Sequence, residues 1–351
     1  MDGRYFISYD YNLIDNKTNR DLRRKKDMKI PFIETLIEIE EYKKFKGLIF
    51  LGMVSAFILA VIPVFISLER VYFAFFMFLI FIYIALTVSW NIVSGLAGQF
   101  SLGHAAFFGL GAYVAAIGLR DKFFGFFDFR AFLLSAVISM IVAIMVGYPL
   151  LGRLRGFYFT LGTLGISETF RLLVINGGEF TGGAWGVKLQ TTYDVGFYMY
   201  YYAAFIIMIL TILLAAVLRG SKVGMNFIAL RDDETAAESI GINTLNFKVL
   251  AFSISAITPA ICGCLFAYYL RYVEPNIVFN TNWSLYPALM ALLGGVGSLM
   301  GAIIGSVIVG SIVQLISLYF PALHPLVSGT LLILVMVLLP KGILSKLIRK
   351  P

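Results

Sequence analysis

The sequence predicts an all-α integral membrane protein with about ten transmembrane helices, and three observations lead there. The chain of 351 residues is 60% hydrophobic and only 14% charged, whereas a soluble domain carries about 25% charged residues. Several apolar runs reach the ~20 residues that a helix needs to cross a hydrocarbon core of ~30 Å. The net charge of +8 sits in a leader, in short loops flanking the apolar runs and in the tail. That distribution serves membrane orientation, and no nucleic-acid partner is expected from it.

In chain order, residues 1–46 form a charged leader. Arg23, Arg24, Lys25, Lys26, Lys29, Lys43, Lys44 and Lys46 interleave with Glu34, Glu38, Glu40 and Glu41. The first apolar run starts only at Gly47, too late for a cleaved signal peptide, so the leader is expected to be retained in the cytoplasm. From Pro31 onward, Ile33, Leu36 and Ile37 share one helical face, which suits an interfacial amphipathic helix or a solvated linker. The transmembrane domain covers 47–340. Its clear spans are 47–67, 71–90, 132–151, 196–218, 247–270 and 327–340, with less regular ones near 98–119, 156–175, 284–293 and 297–318. A basic tail, 341–351, contains Lys341, Lys346, Arg349 and Lys350. An even number of spans puts both termini in the cytoplasm. Arg153, Arg155 and the polar stretch 219–246 then lie inside, and 177–194 and 271–282 outside. The connection 120–130 falls outside with three positive charges against Asp121 and Asp128, a mild breach of the positive-inside tendency.

Two stretches are glycine-rich at membrane depth: Gly95-Leu-Ala-Gly98-Gln-Phe-Ser101-Leu-Gly103-His104 and Gly294-Gly295-Val-Gly297-Ser-Leu-Met-Gly301-Ala-Ile-Ile-Gly305. Each joins two apolar runs through a short helix break. Their shared GxxG pattern suggests a duplicated ancestor, the arrangement by which many transporters place a pathway at a repeat interface. Gly297, Gly301 and Gly305 are spaced by four residues, so on a helix they share one face and let a neighbouring backbone approach closely. Cys262 and Cys264 sit in an apolar run on different helical faces, where neither a disulfide nor a metal site is natural. Both read as small hydrophobes, and no metal is expected.

An ionisable side chain inside a span costs about 2.5–3.5 kcal/mol on insertion scales, so each one asks for a partner or a cavity. Glu168 and Arg171, three residues apart, suit a structural ion pair, and Glu168 also suits the border of a polar path. His104, beside Ser101 and Gly103, suits either a path lining or a hydrogen bond that holds the helix break. With Thr160 and Thr163, the candidate lining is Ser101, His104, Thr160, Thr163 and Glu168. Outside, Gly177-Gly178-Glu-Phe-Thr181-Gly182-Gly183-Ala-Trp185-Gly186 reads as a flexible loop that can meet a partner, cover a path or simply connect helices. In the polar stretch, Asp232 and Asp233 suit a helix start, Ala236 and Ala237 propagate it, and Gly241 suits its end. Such a helix is either an ordinary surface helix or the docking element for a separate motor. No GxxxxGK[ST], HExxH or GxSxG pattern occurs, so the chain is not expected to be an enzyme, and any energy source sits on another polypeptide.

The stretch Trp90-Asn91-Ile-Val-Ser94-Gly95-Leu-Ala-Gly98-Gln-Phe-Ser101-Leu-Gly103-His104-Ala-Ala-Phe-Phe-Gly109-Leu-Gly111-Ala-Tyr113 resembles the signature of the branched-chain amino acid ABC permeases of the LivH/LivM family, LivM type. Three further blocks agree in order and spacing. They are Arg155-Gly156-Phe-Tyr158-Phe-Thr160-Leu-Gly162-Thr163-Leu-Gly165 with Glu168 and Arg171; Phe180-Thr181-Gly182-Gly183; and Ala229-Leu-Arg231-Asp232-Asp233-Glu234-Thr-Ala236-Ala237-Glu238-Ser-Ile-Gly241-Ile-Asn243. The resemblance covers about residues 90–342 and leaves out the leader, which is longer and more charged than the family pattern. It implies a type II ABC-importer-like permease fold in the cell membrane. It also implies that the last block is the cytoplasmic loop contacting the ATPase, with Arg231, Asp232, Glu234, Ala236, Ala237, Glu238 and Gly241 as coupling residues. The implied partners are a second, homologous permease chain of LivH type, two ABC ATPase subunits that bind the ATP, an extracytoplasmic substrate-binding protein and membrane lipid. No cofactor is implied for this chain.

The implied activity is alternating-access import of branched-chain or related small neutral amino acids. Urea and short-chain amide permeases share much of the pattern and stand as the alternative. Trp185 departs from it, standing where asparagine is common. An ion-coupled secondary transporter would also use repeats and broken helices. A lipid-acting membrane enzyme would need acidic or histidine residues clustered at one interface, and His104 and His324 lie far apart in the sequence.

Overall fold

The computed structural model describes residues 71–189, 196–320 and 329–330. The leader 1–46, the run 47–67, Glu69, Arg70, His324, nearly all of the run 327–340 and the tail 341–351 lie outside the described residues.

Helix α1, Val71–Trp90, passes into a π-helical turn, Asn91–Leu96. Next come α2, His104–Arg120; α3, Phe129–Arg153; α4, Phe157–Ile175; and the single turn α5, Gly178–Thr181. Helix α6, Phe197–Gly220, leads into two short helices, α7, Lys222–Asp232, and α8, Glu234–Ser239. The chain continues through α9, Thr244–Leu270; α10, Pro275–Val278; α11, Asn282–Gly294; and α12, Leu299–Tyr319. Two-residue strands β1, Val187–Lys188, and β2, Tyr272–Val273, pair antiparallel with Val187 opposite Val273. Among the described residues five helices are long and apolar enough to cross a membrane: α1 with its π turn, α3, α6, α9 and α12. Run 98–119 starts later than expected, because residues 97–103 are not helical and α2 begins at His104.

Side chains set the helix starts. Asp128 caps α3 by accepting from the Arg130 amide, Asn243 caps α9 through the Asn246 amide, and Ser298 caps α12 through the Gly301 amide.

Helix α9 is the centre of the core. Phe107 of α2, Ala143 and Leu151 of α3 and Phe159 of α4 cluster with its Val249, Phe252 and Ala256. Backbones of α2 and α9 approach so closely that a Cβ on Gly111 would lie 1.9 Å from the Ala260 carbonyl oxygen. By contrast, α3 buries a single stripe of mostly small residues, Ala131, Ser135, Ser139, Ala143, Gly147 and Leu151, each four after the last. Its Leu133, Val137, Ile141 and Met145 are exposed apolar side chains, the composition of a lipid-facing surface.

Contacts sort the connections to two ends. Residues 97–103, 152–156, 221–243 and 295–298 gather at one end, where Gly98 meets Arg231, Arg219 bonds to Gly297 and Gly152 meets Leu245. Residues 121–128, 177–188 and 271–281 gather at the other. There Arg120 donates to the Phe180 carbonyl and the Arg271 guanidinium sits over Phe126. The charge breach in 120–130 is largely local pairing: Arg120 bonds to Asp121 at 2.7 Å and Arg130 to Asp128 at 2.6 Å. The Arg130 side chain, helped by backbone amides, holds the Asp128 carboxyl down to about 2. The segment 177–186 is folded rather than loose. Thr181 donates to the Val174 carbonyl, Arg120 bridges the Glu179 and Phe180 carbonyls, and the hydroxyl of Tyr272 bonds to the Trp185 carbonyl.

Candidate functional site

Two glycine joints share the end of the molecule that carries α7 and α8. Residues 97–103 join α1 to α2, and residues 295–298 join α11 to α12. Helical bonding stops in each, so the exposed amides and carbonyls need partners from elsewhere, most of all in apolar surroundings.

Side chains from three neighbouring helices satisfy the first joint. From α1, Trp90 Nε1 donates to the Ser101 carbonyl at 2.7 Å, and from the π turn Ser94 Oγ donates to the Gln99 carbonyl at 3.0 Å. From α4, Thr160 Oγ1 donates to the Phe100 carbonyl and Thr163 Oγ1 accepts from the Leu102 amide, both at 2.9 Å. Ser284 Oγ of α11 accepts from the Ala105 amide at 2.8 Å. Ser101 turns its own hydroxyl to the Gly103 amide at 3.1 Å.

A single amide side chain on the π turn supports the second joint. Asn91 Oδ1 accepts from the Gly297 amide at 2.8 Å, and Asn91 Nδ2 donates to the Ser298 carbonyl at 3.2 Å. Gly95 makes this contact sterically feasible, since a Cβ there would lie 2.0 Å from Asn91 Oδ1 and 2.7 Å from the Gly297 nitrogen. Two arginines close the site from the α6–α7 side. Arg231 Nη1 donates to the Gly95 carbonyl at 3.0 Å, and Arg219 Nη1 to the Gly297 carbonyl at 2.9 Å.

The polar stretch between α6 and α9 is two helices rather than one, because Asp233 adopts extended backbone between them. Asp233 caps α8 through the Thr235 and Ala236 amides at 2.9 and 3.0 Å, whereas Asp232 belongs to the end of α7 and pairs with Arg231 at 2.9 Å. Gly241 ends α8 in left-handed backbone, φ 88°, with its amide on the Glu238 carbonyl. Glu234 faces inward to Lys248 Nζ at 2.6 Å, and that lysine side chain is only 4% exposed. Glu238 accepts from Thr244 Oγ1 at 2.7 Å. Ala237 is buried, and Ala236, Ile240 and Gly241 remain outward, Ile240 being 76% exposed.

Of the expected lining residues, Ser101, Thr160 and Thr163 come together as buried supports of the first joint. His104 is fully buried at the start of α2, and neither ring nitrogen meets a hydrogen-bond partner among the described residues. Glu168 stands apart on the exposed side of α4, paired with Arg171, whose Nη1 reaches Asn276 Oδ1 at 2.7 Å. Gly301 and Gly305 lie on α12 against α11; a Cβ on Gly305 would lie 1.9 Å from the Met290 carbonyl oxygen. Gly297 is not on that helical face, since α12 begins only at Leu299 and Gly297 belongs to the joint at φ 82°. Asn91, Arg219, Lys248 and Ser284 escaped the sequence reading. Asn91 and Lys248 did carry a signal, a polar group within or beside an apolar run. At the opposite end, a cavity of about 620 Å³ between α2, α3 and α4 is apolar apart from Tyr113 and Thr181, and offers little to a charged solute.

A family model described as branched-chain amino acid transport system / permease component matches residues 72–336. The high-affinity branched-chain amino acid transport system permease protein LivM of Salmonella typhimurium is 30% identical over 292 residues, 75% of this chain and 68% of that protein. LivH of the same organism is 27% identical over 285 residues, 75% of this chain and 91% of that protein. The autoinducer 2 import system permease protein LsrC of Yersinia enterocolitica is 27% identical over 195 residues, 53% of this chain and 52% of that protein. No solved structure matches.

Proposed function

The chain belongs to the family of branched-chain amino acid transport system permease components, and on that premise we infer that it is the membrane-spanning permease subunit of an ATP-binding cassette importer for branched-chain or related small neutral amino acids. In this reading the chain crosses the membrane about ten times, with the glycine joints as helix breaks and both termini in the cytoplasm. Similarity to both LivM and LivH supports pairing with a second, homologous permease. Two ATPase subunits drive the pair, and an extracytoplasmic protein delivers substrate between the two chains. Hydroxyls and backbone groups near helix breaks give a crossing zwitterion transient polar contacts without a permanently unpaired charge.

One observation carries the coupling half of this reading. Helix α8 is bolted inward through Glu234–Lys248 and Glu238–Thr244, while Ala236, Ile240 and Gly241 are turned outward. A firmly mounted polar helix with an exposed apolar tip suits docking into a cleft on a motor subunit. Glu234 and Glu238 then mount the helix, and the outward residues meet the ATPase.

The test is Ile240→Cys, cross-linked in membranes containing the ATPase subunits, together with uptake into vesicles supplied with the binding protein. An adduct with the ATPase, and ATP-dependent uptake that leucine, isoleucine and valine compete for, is expected. Competition by urea or a short amide instead moves the substrate. Uptake that survives loss of the ATPase and collapses with the proton or sodium gradient identifies a secondary transporter.

A further inference from the structure

Arg231 in the last turn of α7 and Arg219 in the last turn of α6 both reach the glycine joints with their guanidinium groups, although each side chain is also open to solvent. The Arg231 guanidinium is shared between the Gly95 carbonyl and Asp232, which accepts from its Nε and Nη2 at 3.0 and 2.9 Å. Its aliphatic stem lies on Gly98: a Cβ there would meet Arg231 Cγ at 2.9 Å, and Gly98 has φ 70°. The same Nη1 stands 2.9 Å from where a Cβ on Gly297 would project. Arg231 is therefore seated where the two joints touch, in a slot that exists because two of its walls, Gly98 and Gly297, lack side chains. Arg219, in the last turn of α6, reaches the second joint through the Gly297 carbonyl.

Both acceptors are carbonyls that helical bonding leaves free. Gly95 lies in the last turn of the α1 rod, where unsatisfied carbonyls and the negative end of the helix dipole favour a cation. Guanidinium has five donors in a planar fork and can bond to a carbonyl and a carboxylate at once. A ring closes through these groups: Arg231 to Gly95, one turn back along α1 to Asn91, across to Gly297 and Ser298, out to Arg219, and along α7 back to Arg231.

We propose that Arg231 and Arg219 are a two-point latch that carries displacement of the α7–α8 segment into both glycine joints. Arg231 then acts inward as a positioning residue and is not a contact to the motor. Asn91 shares the displacement between α1 and the α11–α12 pair, so the two halves of the glycine motif move as one unit. This rests on the reading of the chain as an ATP-driven permease.

The experiment uses the complete importer in proteoliposomes, with Arg231→Ala, Arg231→Lys, Arg219→Ala and the Arg231→Ala/Arg219→Ala double variant. Substrate imported per ATP hydrolysed is measured alongside recovery of the ATPase on the purified permease. Each alanine variant is expected to lower that ratio about tenfold or more, the size set by losing a hydrogen bond from a charged donor. Arg231→Lys, which keeps a cationic donor for Gly95, restores most of the ratio. The double variant falls little further than the worse single one, because one latch is already open. A ratio within about twofold of the parent protein in Arg219→Ala or Arg231→Ala overturns the latch. So does a deficit at Arg231 that tracks loss of bound ATPase and is not restored by lysine. If Arg231→Ala does not fold, Arg219→Ala and Arg231→Lys decide by the same ratio. Absence of ATP-dependent import by the parent importer is a failure of the permease reading, distinct from any of these results.

Discussion

The two glycine joints look alike in sequence and are held in different ways. Residues 97–103 and the first turn of α2 are clamped by hydroxyls and an indole from α1, its π turn, α4 and α11, each serving one or two backbone groups. Residues 295–298 depend on Asn91 for an amide and a carbonyl, and on Arg219 for a further carbonyl. A distributed clamp loses one bond when one side chain is removed; a concentrated one loses several together. The contrast also separates their mountings: the first joint is held by α1, its π turn and α4, and the second by the π turn and α6.

The sharpest way to break this comparison is Gly95→Ala. Its methyl group would displace Asn91 and sever both bonds to the second joint. Overpacking at about 1–3 kcal/mol and the stranded Gly297 amide at about 1–3 kcal/mol add to a loss that should prevent recovery of a monodisperse protein in detergent. A well-folded Gly95→Ala protein would show that Asn91 is dispensable. Next in size, Asn91→Ala is set against Thr163→Val. Asn91→Ala strands the Gly297 amide and takes the second donor from the Ser298 carbonyl, which keeps the Ala302 amide, so it should lower the thermal midpoint further than Thr163→Val, which strands the Leu102 amide at about 1–3 kcal/mol. Equal shifts would mean that the two joints are supported alike. The smallest effect is expected at Gly103→Ala. Gly103 has φ −91°, open to any residue, and its new methyl group would lie 3.3 Å from Thr163 Cβ and 3.4 Å from Ser101 Oγ. A cost of at most about 1 kcal/mol by the same melting measurement is expected, marking Gly95 rather than Gly103 as the glycine the joint requires.

Much of the framework was legible along the chain. Hydropathy placed the spans that became α1, α3, α6, α9 and α12, and the run of glycines marked both joints. Asp233 and Gly241 announced the two ends of α8, because caps act on backbone groups within a few residues. The site was legible mainly as a list of residue types. Thr160, Thr163 and Ser101 were expected along a path, and in the fold each bonds the irregular backbone of the first joint. Glu234 was expected to meet a motor, yet its carboxylate turns inward to Lys248.

By itself the sequence determined that this is a membrane-embedded permease without catalytic motifs, roughly where its longest apolar helices run, and which family it joins, since hydrophobicity, capping and motif spacing are local properties that add along a chain. Only the tertiary structure decided what each polar group is for. Leu102 and Thr163 are 61 residues apart, Arg231 and Gly95 are 136 apart, and Asn91 and Ser298 are 207 apart. No local pattern encodes such pairs. They arise because packing the helices leaves particular amides and carbonyls without water, and each buried group must then find whichever donor or acceptor the fold has carried to it.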